Sequence, residues 1–245
     1  MSGKKYIIEI ATSDFSTTES AIEGGADRIE LCANLAEGGT TPSHGLIIKC
    51  KEKFNVPVFP IIRPRGGDFL YGKDEFGIMA KDIDLCKATG CEGIVAGMLN
   101  IDGTIDMIRM SDLAERAYPM SVTFHRAFDR CKEPFTALEE LIEIGCERIL
   151  TSGQRPSVVD GIDLLAELNR AAGNRIIIMP GSGVRKENIK MLAEKTGCVE
   201  FHSSLRGKQK SNMDFIHPAF SDSGESYTNN AIDAGEVRAL RNALF

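Results

Sequence analysis

The sequence predicts a (β/α)8 barrel, and three observations lead to this fold class. A short pattern occurs four times: a glycine that closes an amphipathic segment, a small residue, usually an acid, and then an apolar run. The intervals between these glycines are 65, 55 and 52 residues, about twice one βα unit, so a further strand fits between successive repeats. Helical patterns separate the strands, as an alternating α/β fold requires. The repeats begin at Gly25, Gly90, Gly145 and Gly197.

Each element of the barrel has a local sequence signal. The repeated glycine fits the position after a helix C-terminus, and the apolar run fits a buried strand. The strands between the repeats are predicted at residues 6–10, 58–63, 120–125 and 175–179. The helices are predicted at residues 17–23, 43–54, 74–89, 106–117, 134–144, 158–172, 186–195 and 234–244. Ser16 and Glu19 suggest a capping box at the first helix. A doubly wound sheet is the alternative, but it does not predict eight regular units.

The composition indicates a single globular domain over residues 1–245, with a long polar loop at about 203–230 before the last helix. Hydrophobic residues make up 42% of the chain and charged residues 26%, which is ordinary. The net charge of −6 gives no basic footprint for nucleic acid or an anionic membrane, and no apolar run reaches membrane-spanning length. Seven cysteines without a CxxC pair argue against a disulfide framework or a zinc ribbon. We expect a cytoplasmic protein.

The repeat also predicts which strand side chains face the barrel interior. The residues four positions after the repeated glycines are bulky and apolar, so we assign them outward, against the helices; they are Ile29, Ile94, Ile149 and Phe201. The opposite parity faces inward and contains Glu30 and His202, while the other strands contribute Glu9, Arg63 and His125. Barrel active sites lie at the C-terminal strand ends, so these five are candidate catalytic residues. A polar cluster that only fills the barrel is the alternative, although apolar packing would cost less free energy.

Two loops at the same face suit an anion. Gly181, Ser182 and Gly183 follow the seventh strand and precede a predicted helix, whose N-terminus favours phosphate. Ser204 follows the eighth strand, and the loops after strands seven and eight often hold phosphate in barrels. We predict these four as ligand-binding residues, with a tight glycine turn as the structural alternative.

Most of the cysteines are predicted to be small core residues. These are Cys50, Cys86, Cys91, Cys146 and Cys198, which lie in helices or follow the repeated glycines at the N-terminal face. Only Cys32 and Cys131 fall on the C-terminal side. Because soft thiolates select Cu(I), Cys32, helped by a second thiol or a histidine, is the candidate metal ligand. A lone buried cysteine that only packs is the alternative.

Six segments carry a resemblance that covers about residues 8–206 in collinear order. They are ADRIELCANLAEGGTTPSHG, IRPRGGDFLY, VTFHRAFD, RILTSGQ, IIIMPGSGV and EFHSSLR. They resemble the CutC family of copper homeostasis proteins. The resemblance implies a (β/α)8 barrel, a cytoplasmic location, a homodimer and a role in copper binding, trafficking or tolerance. The five candidate catalytic residues match the family's motifs at this face. Family members can carry a cysteine at the end of the first strand, where this chain has Ala11.

Two functional hypotheses therefore stand. The first is a CutC-like protein of copper homeostasis that binds or traffics Cu(I) through Cys32 with help from a histidine. The second is a barrel enzyme that acts by acid–base chemistry on a small anionic, possibly phosphorylated, metabolite. Arg63 favours the second hypothesis, because a guanidinium is a poor neighbour for a metal cation and a good one for a carboxylate or phosphate. The family resemblance favours the first, so we predict copper homeostasis as the role and keep the enzyme as the alternative.

Overall fold

Eight parallel strands and eight α-helices alternate along the described part of the chain. The computed structural model describes residues 6–220 and 227–244. The barrel strands are β1 (Ile7–Thr12), β2 (Arg28–Leu31), β3 (Val58–Pro60), β4 (Gly93–Ala96), β5 (Ser121–Phe124), β6 (Arg148–Thr151), β7 (Ile177–Pro180) and β8 (Glu200–Ser203). The helices are α1 (Phe15–Glu23), α2 (His44–Lys53), α3 (Lys73–Ala88), α4 (Met107–Ala117), α5 (Pro134–Ile144), α6 (Ile162–Ala172), α7 (Ile189–Thr196) and α8 (Ala234–Asn242).

The strands follow one another around the barrel in chain order. β1 pairs with β2 on one side and with β8 on the other, and β2 pairs with β3. β4, β5, β6 and β7 pair successively on the opposite side. Ile61, just beyond β3, bridges Val95 of β4, and β7 lies beside β8. The predicted (β/α)8 fold class is therefore confirmed. The carboxyl ends of the strands meet at one end of the barrel, which we call the mouth.

The repeated glycines are helix-ending turns, as the sequence predicts. Gly25, Gly90, Gly145 and Gly197 have φ angles of +93°, +78°, +86° and +75°. These angles lie in the left-handed region that glycine enters without a steric penalty. Each glycine therefore ends one helix and directs the chain into the next even-numbered strand.

Some predicted boundaries are wrong, because local side chains set them. The capping box of α1 is not formed by Ser16 and Glu19. Asp14 caps the helix instead, since its Oδ1 accepts the Thr17 N–H at 2.8 Å and Thr17 Oγ1 accepts the Asp14 N–H. Helix α7 begins at Ile189 and not at 186, because the Asn188 side chain accepts from the backbone of residue 185 and donates to that of residue 183. The third strand ends at residue 60, before the predicted 63.

The apolar core lies mainly between the strands and the helices. The four residues assigned outward, Ile29, Ile94, Ile149 and Phe201, are all fully buried in this layer. A second, small apolar cluster comprises Cys32, Phe59, Ile61 and Val95. The small cluster lies inside the barrel and the main core lies outside it, as the predicted side-chain parity requires. Polar residues occupy the other interior positions.

The long segment after β8 contains a hairpin. Strand β9 (Gly207–Lys210) pairs antiparallel with β10 (Thr228–Ala231), and all but one of these residues are exposed. Asn230 Nδ2 donates to Ser13 Oγ at 3.2 Å and so ties the hairpin to the loop after β1. Residues 221–226 of this segment lie outside the described residues. In the part of the chain that is described, no helix has the length and apolar character needed to cross a membrane.

Candidate functional site

Four charged side chains form a buried ion network across the barrel interior. Arg28 Nε lies 2.5 Å from Glu9 Oε2, and Arg28 Nη2 lies 2.7 Å from Glu200 Oε2. Arg148 Nε lies 2.9 Å from the same Glu200 oxygen. Two carboxylates thus face two guanidiniums, which offsets the free-energy cost of removing the charges from water. Burial opposes ionisation of Glu9, but Arg28 and His202 outweigh it and hold the pKa of this carboxyl well below its usual range.

Three members of this network escape the sequence prediction, namely Arg28, Arg148 and Glu200. They lie three positions after a repeated glycine, and therefore share the inward parity of Glu30 and His202. In the remaining repeat the residue three positions after the glycine is Gly93, which leaves room for the ring of Phe59. A Cβ at Gly93 would lie 2.4 Å from Phe59, whose ring sits against both guanidiniums, at 5.1 and 5.5 Å from its centroid. The position three residues after each repeated glycine is therefore the sequence signal that identifies these three members of the network.

His202 connects the ion network to the mouth. Its Nδ1 lies 2.7 Å from Glu9 Oε1, and its Nε2 lies 3.7 Å from Glu30 Oε2. Burial opposes protonation of His202, but Glu30 and Glu9 raise the pKa of its imidazole above the ordinary value. Burial raises the pKa of the Glu30 carboxyl, despite the opposing influence of His202. Glu30 and His202 both face the mouth with raised pKa values, so each is suited to donate a proton to a bound ligand or to accept one from it.

Cys32 is fully buried beside Glu30. Its Sγ donates to Glu30 Oε2 at 3.5 Å. Burial, reinforced by the Glu30 charge, raises the pKa of the Cys32 thiol well above its usual range, which disfavours the thiolate that a metal needs. Among residues 6–220 and 227–244, no group of three or more His, Cys, Asp or Glu side chains is arranged to hold a metal ion.

His125 presents a neutral hydrogen-bond donor. Its Nδ1 accepts the backbone N–H of Ala127 at 3.2 Å, so the ring proton belongs on Nε2. Within the described part of the chain, this buried Nε2 has no hydrogen-bond partner. Burial, followed by the Arg63 charge, lowers the pKa of the imidazole to about 3. Gly97 makes room for the ring, because a Cβ there would lie 2.5 Å from His125 Nδ1.

Arg63 is a buried cation held by backbone carbonyl groups. Its Nη1 donates to Glu37 O and Gly39 O, both at 2.8 Å, and its Nη2 donates to Gly67 O at 2.9 Å. The guanidinium stacks on Phe69, 5.0 Å from the ring centroid. Its Nε has no hydrogen-bond partner, and no carboxylate forms an ion pair with it, in the described structure. A buried guanidinium with neutral partners retains its full charge for an anionic ligand.

A cavity of about 330 Å³ occupies the mouth and brings these groups together. Glu30, Arg63, His125 and His202 all line it. Four further arginines line it as well: Arg126, Arg130, Arg185 and Arg206. Its acidic wall residues are Glu30, Glu37 and Asp129, and Asp129 is already paired with Arg126 at 2.7 Å. The cavity is therefore rich in positive charge, although the whole chain is acidic.

The predicted ligand-binding residues differ in their positions. Ser182, Gly183 and Ser204 line the cavity. Gly181 instead packs behind the wall, because a Cβ there would lie 2.4 Å from Leu150 Cδ1 and 3.4 Å from His202 Cδ2. Helix α7 begins at Ile189, so its N-terminus does not directly follow the turn at residues 181–183. Arg185, between that turn and the helix, lines the cavity instead. The sequence prediction includes none of the four outer arginines, because Arg126 and Arg130 lie in one short 3-10 helix and the other two in loops, and none of these segments has a periodic pattern.

The fold and this cavity define a (β/α)8 barrel whose mouth is lined by arginines and by side chains that can carry a proton. The model of the CutC family matches residues 6–207, and the chain belongs to that family. A CutC family protein of Chromobacterium violaceum is 48% identical over 97% of this chain and 98% of its own length. Another from Parabacteroides distasonis is 53% identical over 86% of this chain and 87% of its own length. The predicted family is therefore confirmed.

A solved structure agrees with this assignment. It is the putative copper homeostasis protein CutC from Streptococcus agalactiae, which is 30% identical to this chain. The similarity covers 81% of this chain and 98% of that one, with a TM-score of 0.78. Membership of the CutC family and the barrel fold are thus supported by sequence and by structure independently.

Proposed function

We propose that the mouth binds a small anionic metabolite and acts on it by acid–base chemistry. The observation that carries this proposal is the buried guanidinium of Arg63, which forms no ion pair with a carboxylate among the described residues and donates instead to backbone carbonyl groups. The four outer arginines supply additional positive charge around the same cavity. A phosphate or carboxylate group would give these cations the counter-charge that they lack.

The remaining wall groups suit proton transfer. Glu30 of β2 and His202 of β8 lie on either side of β1 in the cavity wall, and each can donate or accept a proton. His125 offers a neutral N–H to an oxygen that becomes more negative during the reaction. Glu9 acts through His202, because its hydrogen bond to Nδ1 fixes the ring and favours the protonated imidazole. In this proposal Glu30, His202 and His125 are the catalytic groups, and Glu9 is a positioning residue.

Inorganic phosphate is the probe that tests the anion site. We expect phosphate to raise the melting temperature of the wild type, since a ligand of the folded state stabilises it by about 1.4 kcal/mol at ten times its dissociation constant. Arg63→Lys and Arg185→Ala should each weaken phosphate binding about tenfold or more. Arg65→Lys is the matched control, because Arg65 lies in the same loop but pairs with Asp68 and Glu75. An equal phosphate response in all four proteins would contradict the proposal.

Copper homeostasis is the second candidate function. Family membership favours it, together with the name of the Streptococcus agalactiae relative. Cys32 is the predicted ligand for Cu(I); its Sγ lies 3.5 Å from Glu30 Oε2, and the same oxygen lies 3.7 Å from His202 Nε2. Anaerobic Cu(I) titration of the wild type and of Cys32→Ala tests this ligand. Stoichiometric binding that requires Cys32 would support it, whereas binding that survives the substitution would exclude Cys32 as the ligand.

We also propose that the protein is a cytoplasmic homodimer. The seven cysteines are all free and buried, which suits a reducing compartment. Several large apolar side chains outside the core are exposed, among them Met213, Phe215 and Ile216. Such side chains are typical of subunit contacts when they cluster. Light scattering on the purified protein would give a mass of twice one chain if the dimer exists.

A further inference from the structure

Two unpaired guanidiniums approach the mouth cavity from opposite sides. Arg63 follows β3, whereas Arg185 lies between β7 and α7, and both line the cavity. In a closed barrel whose eight strands follow one another in chain order, β3 and β7 lie opposite each other. Neither arginine forms an ion pair with a carboxylate within residues 6–220 and 227–244. The cavity therefore has two separate places for an anionic group.

The first place, which we call the inner subsite, is built on the ring of Phe69. The ring centroids of His125 and Phe69 lie 4.8 Å apart, and the Arg63 guanidinium lies 5.0 Å from the same Phe69 centroid. His125 and Arg63 are only 3% and 4% exposed. His125 Nε2 has no hydrogen-bond partner in the described structure. Because a buried donor without an acceptor costs free energy, the inner subsite is suited to an acceptor oxygen that a ligand brings.

The second place, which we call the outer subsite, consists of Arg185 and the turns that follow β7 and β8. Among the described residues, the backbone N–H groups of Ser182, Gly183 and Ser204 have no acceptor, and these residues line the cavity. Arg185 Nη1 donates to Ser203 Oγ at 3.1 Å, which holds the guanidinium beside the turns. Unpaired backbone N–H groups next to a guanidinium suit a phosphate, whose terminal oxygens accept several hydrogen bonds.

The side chains suited to proton transfer lie between the two subsites. From β7 to β3 around the barrel, the intervening strands are β8, β1 and β2. His202 belongs to β8 and Glu30 to β2, and His202 Nε2 lies 3.7 Å from Glu30 Oε2. A ligand held at both subsites therefore presents its middle portion to these two groups, as positioned acid–base chemistry requires.

The acidic wall residues near the subsites leave the cavity cationic. Asp129 is paired with Arg126 at 2.7 Å. Glu37 supplies a backbone carbonyl group to Arg63, and its carboxylate opposes an anion at the inner subsite. Glu37 is exposed, however, so water and salt screen its charge.

We propose that the ligand of the mouth carries two anionic groups, as a short carboxylic acid with a phosphate at its other end does. The carboxylate binds at the inner subsite, where a guanidinium and one neutral N–H match its oxygens. The phosphate binds at the outer subsite, which has more donors and is less buried, so a doubly charged group loses less hydration there. The cavity of about 330 Å³ has room for both groups and a few carbons between them. The inference rests on the proposed anionic-metabolite function and narrows its substrate class.

Calorimetric titration with phosphonocarboxylates tests whether one ligand spans the two subsites. Phosphonoacetate, phosphonopropionate and phosphonobutyrate carry both groups and differ in the distance between them. Each is compared with the alkylphosphonate that lacks its carboxylate. We expect at least one of the three to bind the wild type about tenfold or more tightly than its alkylphosphonate does, since the second contact is made without a second loss of translational freedom.

Two substitutions separate the subsites. Arg63→Lys should bring this affinity ratio close to one, because the planar guanidinium that receives the carboxylate is lost. Arg185→Ala should weaken the phosphonocarboxylate and its alkylphosphonate by similar factors, so the ratio persists. Inorganic phosphate is small enough for either subsite, and each substitution weakens its binding at one of them. Arg65→Lys is the control, since Arg65 is paired with Asp68 and Glu75 and should leave every affinity unchanged.

The length series in the wild type does not depend on how a variant folds. The ratio should be largest at one chain length, because the subsites are a fixed distance apart. If phosphate binds but no phosphonocarboxylate binds more tightly than its alkylphosphonate, the inference is overturned and the proposed anion site stands. A ratio that Arg63→Lys leaves unchanged also overturns it, since the carboxylate would then bind elsewhere. If the wild type binds neither phosphate nor any phosphonate, the inference and the proposed function both fail.

Discussion

At the residue scale, side-chain parity determines how much of the site the sequence reveals. Glu30, His125 and His202 are predicted to face inward, and they line the cavity. Arg28 and Arg148 share the same parity but begin their strands, where a charged residue usually indicates exposure to solvent. The partners that allow them to be buried, Glu9 and Glu200, come from distant parts of the chain. The sequence predicts whether each side chain faces the barrel interior. It does not predict the ion pairs that offset the free-energy cost of burying a charge.

The buried network predicts a specific loss of stability in acid. The ionised form of Glu9 is stabilised in the folded state, so its contribution is present above the unfolded pKa and is lost as pH falls through that value towards the depressed folded pKa. Glu9→Gln should lower the free energy of unfolding at neutral pH by about 3–5 kcal/mol, because it leaves the buried guanidiniums of Arg28 and Arg148 to share the single carboxylate of Glu200. It should also flatten the dependence of stability on pH below about 5.

Urea unfolding of wild type and variant at several pH values measures both effects of Glu9→Gln. Glu139→Gln is the control, because Glu139 is an exposed carboxylate paired with Arg175 and exposed pairs contribute little. Equal acid sensitivity of the wild type and Glu9→Gln would mean that the network does not control the titration.

The tautomer of His125 gives a prediction that needs no substrate. Because burial and Arg63 lower its pKa to about 3, the ring should stay neutral across the physiological range. The Ala127 N–H on Nδ1 should keep the proton on Nε2. Nitrogen NMR of labelled protein, with the signal assigned by comparison with His125→Gln, reports both features. Protonation of His125 between about pH 5 and pH 8 would show that the imidazole is not the neutral donor required at the mouth.

At the scale of elements, the helix-ending glycines are readable from the sequence, whereas loops closed by side-chain hydrogen bonds and strands without apolar residues are not. The repeated glycines predict four helix ends correctly, since a left-handed φ at a helix end is a local requirement. The start of α7 is predicted too early, because Asn188 closes the preceding loop through contacts that no periodic pattern encodes. The hairpin of β9 and β10 is missed for a related reason. Its strands are polar on both faces, so neither carries an alternating apolar signal.

Gly93 gives a prediction for strand β4. The Cβ introduced by Gly93→Ala would lie 2.4 Å from the Phe59 ring, which is itself packed against the two guanidiniums of the ion network. We expect the free energy of unfolding to fall by about 1–3 kcal/mol, as for other overpacked interiors. Gly77→Ala in α3 is the matched control. It meets no atom within 4 Å and should raise stability by about 0.5–1 kcal/mol, because alanine favours a helix. Chemical denaturation that shows the same effect for both substitutions would contradict the packing argument.

At the scale of the whole molecule, total charge conceals the character of the mouth. The chain carries a net charge of −6, yet five arginines line one cavity. The fold class follows from repeated patterns, because a barrel requires the same unit many times. The cationic cavity does not, since its arginines come from four separate segments that follow different strands and converge only when the barrel closes. Composition therefore predicts no large polyanionic partner, whereas the cationic cavity on which the proposed small anion depends becomes visible only in three dimensions.

The segment between β8 and α8 supports a prediction about assembly. In the described structure β9 and β10 pair only with each other, and Gly207 lies opposite Ala231. Replacing residues 209–229 with Asn-Gly joins Lys208 to Asn230, which are partners in the ladder, through a two-residue turn. The barrel core is not touched, so we expect the melting temperature to change by less than about 4 °C, which corresponds to about 1 kcal/mol.

The shortened chain should, however, be monomeric. The deletion removes the exposed Met213 and Phe215, whose apolar side chains are the part of this segment suited to contact a second copy. Light scattering compares the masses of the two proteins, and circular dichroism monitors the barrel. A wild type that is already monomeric would exclude the proposed homodimer. A shortened protein that remains dimeric would place the subunit contact elsewhere on the barrel, since the segment would then be dispensable both for folding and for assembly.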